Sequence, residues 1–200
     1  MLIEPRAHPS AALRVLAPAG AVVAALALCA ALIAWTGTGV GEAYALLFQG
    51  ALGSRFALAE TLTRATPLML TGLAAAVAFR AKLWNIGAEG QLYAGALVAV
   101  VLGGGMLDLP GWALLPAALL GGALAGSVLL VGPTVLKTRL GVDEVVTTLL
   151  LNFVVLLFVS LMLEGPLKDP MGMGWPQSAP VLPEAELPRL LERSRLHAGL

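Results

Sequence analysis

Charge is scarce in this sequence of 200 residues: Asp, Glu, Lys and Arg make up 12% of the chain, whereas hydrophobic residues make up 58%. A soluble domain has charged residues at about a quarter of its positions. A chain of this composition cannot cover its own surface with polar groups, so the sequence predicts burial in a membrane. The formal net charge is +0, which gives no basis for binding nucleic acid.

Residues that could carry chemistry are also few. The two histidines, His8 and His197, lie outside the apolar runs, and the single cysteine, Cys29, has no partner for an internal disulfide. Metal-dependent and Ser–His catalysis need clusters of such side chains, so we expect no catalytic residue, no metal site and no enzyme activity. The chain has no phosphate-binding Gly-x4-Gly-Lys-Ser/Thr loop, so we expect no cofactor here and any ATP to be used by a partner subunit.

Long stretches without a charged residue indicate the fold class. A membrane-spanning helix needs roughly 17–25 mostly apolar residues. Four uncharged runs reach that length, at residues 15–41, 90–107, 109–136 and 145–163. A fifth run, 65–79, is short and reaches it only if Arg64 extends toward the interface. The sequence therefore predicts an all-α polytopic bundle of about five transmembrane helices, of which the second has the weakest support.

Proline and glycine set off the segment after the fifth run. Residues 164–188 contain six prolines, and no helix persists at that density. We expect residues 164–195 to form an external loop within a single transmembrane domain that covers residues 1–200. The last residues turn apolar again, which favours a truncated chain whose sixth span starts near Leu196. Between the first two runs, residues 41–48 are apolar on one side, which is typical of an interfacial helix.

Basic residues and small residues give the orientation and the packing. Arg6 and Arg14 precede the first run, so the positive-inside rule predicts a cytoplasmic N-terminus. Threading five spans places four further basic residues on that side: Arg80, Lys82, Lys137 and Arg139.

Small residues at four-residue spacing predict close packing of the third and fourth spans. They are Gly95, Ala99 and Gly103 in the third, and Ala118, Gly122 and Gly126 in the fourth.

A first polar island, residues 80–91, joins the second and third spans. We expect Asn85 to be the N-cap of the next helix, with Glu89 in its first turn, where the helix dipole favours a carboxylate. Gly87 and Gly90 permit a tight backbone. Two interpretations remain open: a capped cytoplasmic turn, or polar groups of Asn85, Glu89 and Gln91 tucked into the bundle.

A second polar island, residues 137–152, leads into the fifth span. Glu144, Thr148 and Asn152 are spaced at i, i+4 and i+8, which places them on one face of a helix. Asn152 lies about two turns into the span, where an amide is costly without a partner. It is either an interhelical bond or a group that lines a pathway.

Together the two islands resemble the permeases of ATP-binding-cassette importers. Residues 83–91 read LWNIGAEGQ and residues 140–152 read LGVDEVVTTLLLN. Both strings are similar to signatures of the branch that serves simple sugars and nucleosides, which is related to the branched-chain amino-acid permeases. The resemblance covers about residues 42–152. It makes eight residues candidates for translocation or for the motifs: Asn85, Gly87, Glu89, Gln91, Asp143, Glu144, Thr148 and Asn152.

The resemblance also implies partners. Such a permease pairs with a second permease subunit, with cytoplasmic ATP-binding subunits that use the ATP, and with an extracytoplasmic solute-binding protein. It lies in the bacterial plasma (inner) membrane and carries a small polar solute, here a nucleoside or simple sugar. The coupling loop that grips the ATPase would lie beyond Leu200. The alternative is an ion-coupled secondary transporter or channel half, which usually places a charge at mid-span.

Overall fold

The computed structural model describes residues 10–191 and 194–199, and apart from two isolated β-bridges every regular element in these ranges is helical. These elements are α1 (Ala11–Trp35), α2 (Val40–Leu52), α3 (Arg55–Arg80), α4 (Ala88–Gly103), α5 (Gly111–Leu140), α6 (Glu144–Glu164) and one 3₁₀ turn (Pro183–Ala185). The predicted all-α class is therefore confirmed. The chain divides into two compact units, Met1–Thr61 and Leu62–Leu200, which are described separately.

In the first unit, a side chain of α2 ties this helix to α1. The hydroxyl of Ser10 begins α1 by accepting a hydrogen bond from the backbone N–H of Leu13 at 3.3 Å. The Tyr44 hydroxyl of α2 donates to the backbone carbonyl of Leu26 in α1. The helix predicted around residues 41–48 is present, and it extends over Val40–Leu52.

Among the described residues, four helices are long and apolar enough to cross a membrane, namely α1, α3, α5 and α6. The second predicted span, which had the weakest support, is the 26-residue helix α3. This helix begins at Arg55, where the Ser54 hydroxyl accepts from the N–H of Ala57 at 3.0 Å. Glu60 and Arg64 interrupt the apolar run but not the helix, so charge alone underestimated the length of this span.

The short helix is instead α4, which corresponds to the third predicted span. Its 16 residues cover about 24 Å at ~1.5 Å per residue, whereas the hydrocarbon core is about 30 Å thick. The uncharged run continues to residue 107, but α4 ends at Gly103. Gly104 caps it, and Gly105 takes φ +76°, a left-handed conformation that turns the chain away from the helix axis. The structure thus gives four helices of full length and one shorter apolar helix for the five predicted runs.

α4 and α5 run antiparallel and touch along their small residues. A Cβ atom added at Gly95 would lie 2.9 Å from the carbonyl oxygen of Gly122, and one at Gly126 would lie 3.2 Å from the carbonyl oxygen of Gln91. Backbones that approach this closely leave no room for a side chain between them. The predicted close packing of these two helices is confirmed at the three glycines.

Residues 165–191 contain no α-helix, and their regular structure is the 3₁₀ turn and residues of the two isolated β-bridges. Residues 192–193 of the predicted proline-rich loop lie outside the described residues, and the external position of this loop stays a prediction. Residues 194–199, where the sequence predicts the start of a sixth span, form no helix in the structure, and a span further along stays a prediction. The Leu196 carbonyl accepts from the Leu190 N–H at 2.9 Å, and the Ala198 N–H donates to the Pro188 carbonyl at 2.9 Å. These backbone groups fold back onto the loop, so they are not used in a helical turn. Leu200 lies outside the described residues.

Candidate functional site

The connection between α3 and α4 is built from a left-handed residue and an asparagine turn. Lys82 takes φ +57° in the turn that ends α3. Asn85 Oδ1 then accepts from the backbone N–H of Gly87 at 2.9 Å, and Asn85 Nδ2 donates to Gln91 Oε1 at 3.2 Å. The Asn85 side chain therefore holds the loop and the first turns of α4 in one arrangement.

The N-cap of α4 is Gly87, so the prediction that Asn85 occupies this position is wrong. Asn85 bonds the N–H two residues further along, a local turn that asparagine forms as readily as a helix cap. The helix begins after that turn, and the Gly87 carbonyl accepts from the N–H of Gln91 at 3.0 Å. Glu89 lies in the first turn of α4, as the sequence predicts.

One face of α6 accepts hydrogen bonds from the backbone of this connection. Glu144, Thr148 and Asn152 share that face, as predicted, and are 8%, 1% and 7% exposed. Glu144 Oε1 accepts from the N–H of Trp84 at 3.3 Å, Thr148 Oγ1 from that of Ile86 at 3.2 Å, and Asn152 Oδ1 from that of Gly90. We call these three bonds the α6 ladder. The residue numbers of the donors and of the acceptors increase in the same direction, so α4 runs parallel to α6.

Asn152 is bonded to α4 through both of its polar atoms. Its Oδ1 accepts from Gly90, and its Nδ2 donates to Oε2 of Glu89, an exposed residue, at 3.4 Å. The N–H of Gly90 lies in the first turn of α4, where backbone donors have no acceptor within the helix. These contacts are those of an interhelical bond, the first of the two interpretations that the sequence left open for Asn152.

Two glycines of the first polar island permit the close approach of α6. A Cβ atom at Gly87 would lie 3.0 Å from the Thr148 carbonyl oxygen, and one at Gly90 would lie 2.7 Å from Asn152 Oδ1 and 3.1 Å from Asn152 Cα. Any side chain at Gly90 would push the two helices apart. The two polar islands therefore form one contact. The first contributes Asn85, Gly87 and Gly90, and the second contributes the polar face of α6.

Lys137 is a member of this site that sequence reasoning counted only for orientation. It lies in the last turn of α5, half-buried, and its Nζ donates to the Lys82 carbonyl at 2.7 Å and forms an ion pair with Glu144. Gly141, at φ +67°, reverses the chain between α5 and α6 and brings the two side chains together. A sequence signal for this pair exists. It is a basic residue in the last turn of one helix, followed after a glycine turn by an acidic residue in the first turn of the next helix.

Seven of the eight candidate residues meet where α4 and α6 join: Asn85, Gly87, Glu89, Gln91, Glu144, Thr148 and Asn152. Asp143 does not reach this contact, because it is exposed and caps α6, with its Oδ1 accepting from the N–H of Val145 at 2.8 Å. Within the described ranges, no group of three or more His, Cys, Asp or Glu side chains could hold a metal ion.

Residues 57–195 match the family model described as the branched-chain amino acid transport system / permease component. The chain belongs to this family. With four helices of membrane-spanning length in the described residues, this member of the permease family is a multi-pass membrane protein.

Relatives with assigned names fall in the same group of permeases. The chain is 38% identical over 94% of its length to the glucose ABC transporter permease protein TsgB13 of Haloferax volcanii, of which the match covers 49%. It is 35% identical over 92% of its length to the guanosine ABC transporter permease protein NupP of Bacillus subtilis, of which 53% is covered. The chain spans about half the length of these relatives. No solved structure matches it.

Proposed function

We propose that this chain is part of the permease subunit of an ATP-driven importer for a sugar or a nucleoside. The observation that supports the proposal is the α6 ladder. The two segments that resemble the sugar and nucleoside branch bind each other through Glu144, Thr148 and Asn152. The residues that carry the resemblance therefore form a single contact in the structure. Relatives that match this chain over part of their own length are permeases for glucose, guanosine and nucleosides.

The proposal includes partners and a location. Cytoplasmic ATP-binding subunits use the ATP, a second permease subunit completes the passage, and an extracytoplasmic solute-binding protein delivers the solute. The chain itself holds no cofactor and is no enzyme. It lies in the bacterial plasma (inner) membrane with its N-terminus in the cytoplasm. Lys82 and Lys137 meet at the end of the bundle that carries the ladder, which is the end that the positive-inside rule assigns to the cytoplasm.

In this importer the ladder has a mechanical role. It joins the α3–α4 connection to α6, and Lys137 adds the end of α5 to the same contact through Glu144. α4 and α5 are already joined along Gly95 and Gly122. When ATP binding rearranges the subunits, α4, α5 and α6 therefore move as one body, because packed elements shift as units and do not deform continuously.

The test is transport by the complete assembly. The full-length permease is reconstituted in proteoliposomes with its ATP-binding subunits and its solute-binding protein, and uptake of labelled guanosine and of labelled glucose is measured. We expect uptake of one of them to require both ATP and the binding protein, and to persist when an ionophore removes ion gradients.

The matched control replaces the phosphate-binding lysine of the ATP-binding subunits with alanine, which should abolish uptake. Uptake that follows an ion gradient without ATP would favour the ion-coupled alternative. Uptake of neither solute under any condition would contradict the proposed solute class.

A further inference from the structure

In the second unit, a gap separates α3 from α4 and α5. Two cavities of about 540 and about 290 Å³ occupy it, and both are lined by Leu70, Ala74, Gln91 and Leu130. They are therefore adjoining parts of one space. Small-molecule sites typically have about 300–1,000 Å³, so this gap is large enough to hold a solute.

Polar side chains face this gap from all three helices. Thr71 of α3, Gln91 of α4 and Ser127 of α5 line the smaller cavity. The Thr71 hydroxyl donates to the Pro67 carbonyl at 2.9 Å, and the Ser127 hydroxyl donates to the Ala123 carbonyl at 2.8 Å. Because each hydroxyl has used its proton within its own helix, it presents an acceptor oxygen to the gap.

Gln91 provides the complementary donors. Its Oε1 accepts from Asn85 Nδ2 at 3.2 Å, whereas its Nε2 has no hydrogen-bond partner in residues 10–191 and 194–199. Gln91 lies near the start of α4 and lines both cavities, so this donor is open to whatever fills the gap. An occupant of the gap that can accept a hydrogen bond would complete the bonding of Gln91.

We propose that this gap is the solute passage of the permease, in which Thr71, Gln91 and Ser127 contact the hydroxyl groups of a sugar or nucleoside. This inference rests on the proposed function and adds to it the side chains that meet the solute. A sugar hydroxyl both donates and accepts, so it can give its proton to Thr71 or Ser127 and receive one from Gln91. A lipid tail or an apolar helix in the gap would leave Nε2 of Gln91 without an acceptor.

Cysteine accessibility tests the passage directly. Cys29→Ala removes the native thiol from the full-length permease, and Thr71→Cys and Ser127→Cys are introduced one at a time into the complete importer. A small, charged methanethiosulfonate reagent is the probe. The control is Val128→Cys, because Val128 follows Ser127 in α5, is 65% exposed and lines neither cavity.

We expect the cysteines at 71 and 127 to react and the cysteine at 128 to stay unmodified, because a charged reagent reaches only thiols in contact with water. Saturating guanosine or glucose, whichever the importer carries, should slow both reactions. Gln91→Leu should raise the KM for uptake about tenfold, the loss of one good hydrogen bond of about 1.4 kcal/mol, with Vmax changing less.

The results separate this inference from the proposed function. If the importer takes up a sugar or nucleoside while the cysteines at 71 and 127 are as unreactive as that at 128, the passage lies elsewhere and the inference is overturned. An unchanged KM in Gln91→Leu would equally overturn its contact with the solute. If both cysteines react but neither solute is carried, the proposed solute class fails and the assigned hydroxyl contacts fail with it.

Discussion

At Gly90, the absence of a side chain sets the distance between two helices. A Cβ atom there would lie 2.7 Å from Asn152 Oδ1 and 3.1 Å from Asn152 Cα. Real Cβ atoms essentially never lie within 3.0 Å of another atom, so Asn152 Oδ1 would have to move. The Cα atom of Asn152 belongs to the backbone, and at 3.1 Å it would have to give by a few tenths of an ångström. The glycine is therefore required by the approach of α6, while its own backbone remains helical.

Gly90→Ala should consequently destabilise the protein. Inserting one methyl group into a well-packed contact typically costs about 1–3 kcal/mol, and the thermal unfolding midpoint in detergent should fall. The matched control is Gly72→Ala in α3, where an added Cβ meets nothing within 4 Å. There alanine is favoured by up to ~1 kcal/mol in a helix, so stability should hold or rise. Equal midpoints for the two variants would contradict the close approach at Gly90.

Residue identities predicted part of this site from the sequence. The spacing of Glu144, Thr148 and Asn152 was enough to place them on one helix face, because helical periodicity is local. Their partners could not be predicted, since the N–H groups of Trp84 and Ile86 come from a segment about sixty positions away and carry no sequence signal of their own. Asn85 was assigned the wrong role because asparagine serves helix caps and short turns through the same side-chain oxygen.

Between elements, the ladder joins α6 to the α3–α4 connection through Glu144 and Thr148, and to the first turn of α4 through Asn152. Asn152 accepts from one backbone group and donates to one carboxylate. Gly90 is buried, so leaving its N–H without a partner costs about 1–3 kcal/mol, whereas Glu89 is exposed. The contact of α4 with α6 therefore depends on a few polar groups in a region that is otherwise apolar.

Asn152→Leu should lower both thermal stability and uptake by the complete importer, because Gly90 and Glu89 lose their partner. Membrane insertion should be unaffected, since no apolar segment is interrupted. Asn152→Asp keeps an acceptor for the N–H of Gly90 but places a second carboxyl group beside Oε2 of Glu89, so it should also be less stable than the parent. Phe153→Leu, at a neighbouring position that is 56% exposed, is the control and should behave like the parent. Parental stability and uptake in Asn152→Leu would show that this side chain only fills space.

The length of a helix was predicted well where the uncharged run and the helix end at about the same residue, and poorly where they end at different residues. Glu60 and Arg64 lie inside α3, so a search for uncharged runs made this helix too short. Gly104 and Gly105 end α4 inside an uncharged run, so the same search made that helix too long. Helix ends depend on backbone conformation, which hydropathy does not report.

For the whole molecule, the decisive property is which ends of its helices face the cytoplasm. Arg139 precedes the turn before α6, and Met173 lies in the loop after α6 and is 97% exposed. Because α6 has the length of a membrane span, these two positions should lie on opposite sides. The positive-inside rule predicts that Arg139, at the basic end of α5, lies in the cytoplasm.

This orientation is tested in intact cells with a thiol reagent that does not cross membranes. In the Cys29→Ala background, Met173→Cys should be labelled from outside, whereas Arg139→Cys should be labelled only after the cells are permeabilised. The parent without cysteine controls for background. Labelling of Arg139→Cys in intact cells would reverse the proposed orientation, and labelling of both would show that α6 does not cross.

The α6 ladder also sets an order in time. Its donors and acceptors are separated by 60 to 62 residues, and a ribosome adds about 5–20 residues per second. Each donor therefore leaves the ribosome roughly 3 to 12 seconds before its partner on α6. During that interval α4, too short to cross the hydrocarbon comfortably, can pair only with α5 along the glycines. The bonds of the ladder can form only after Glu144, Thr148 and Asn152 have been synthesised, so the contact of α6 with α4 and with the α3–α4 connection forms only after this delay.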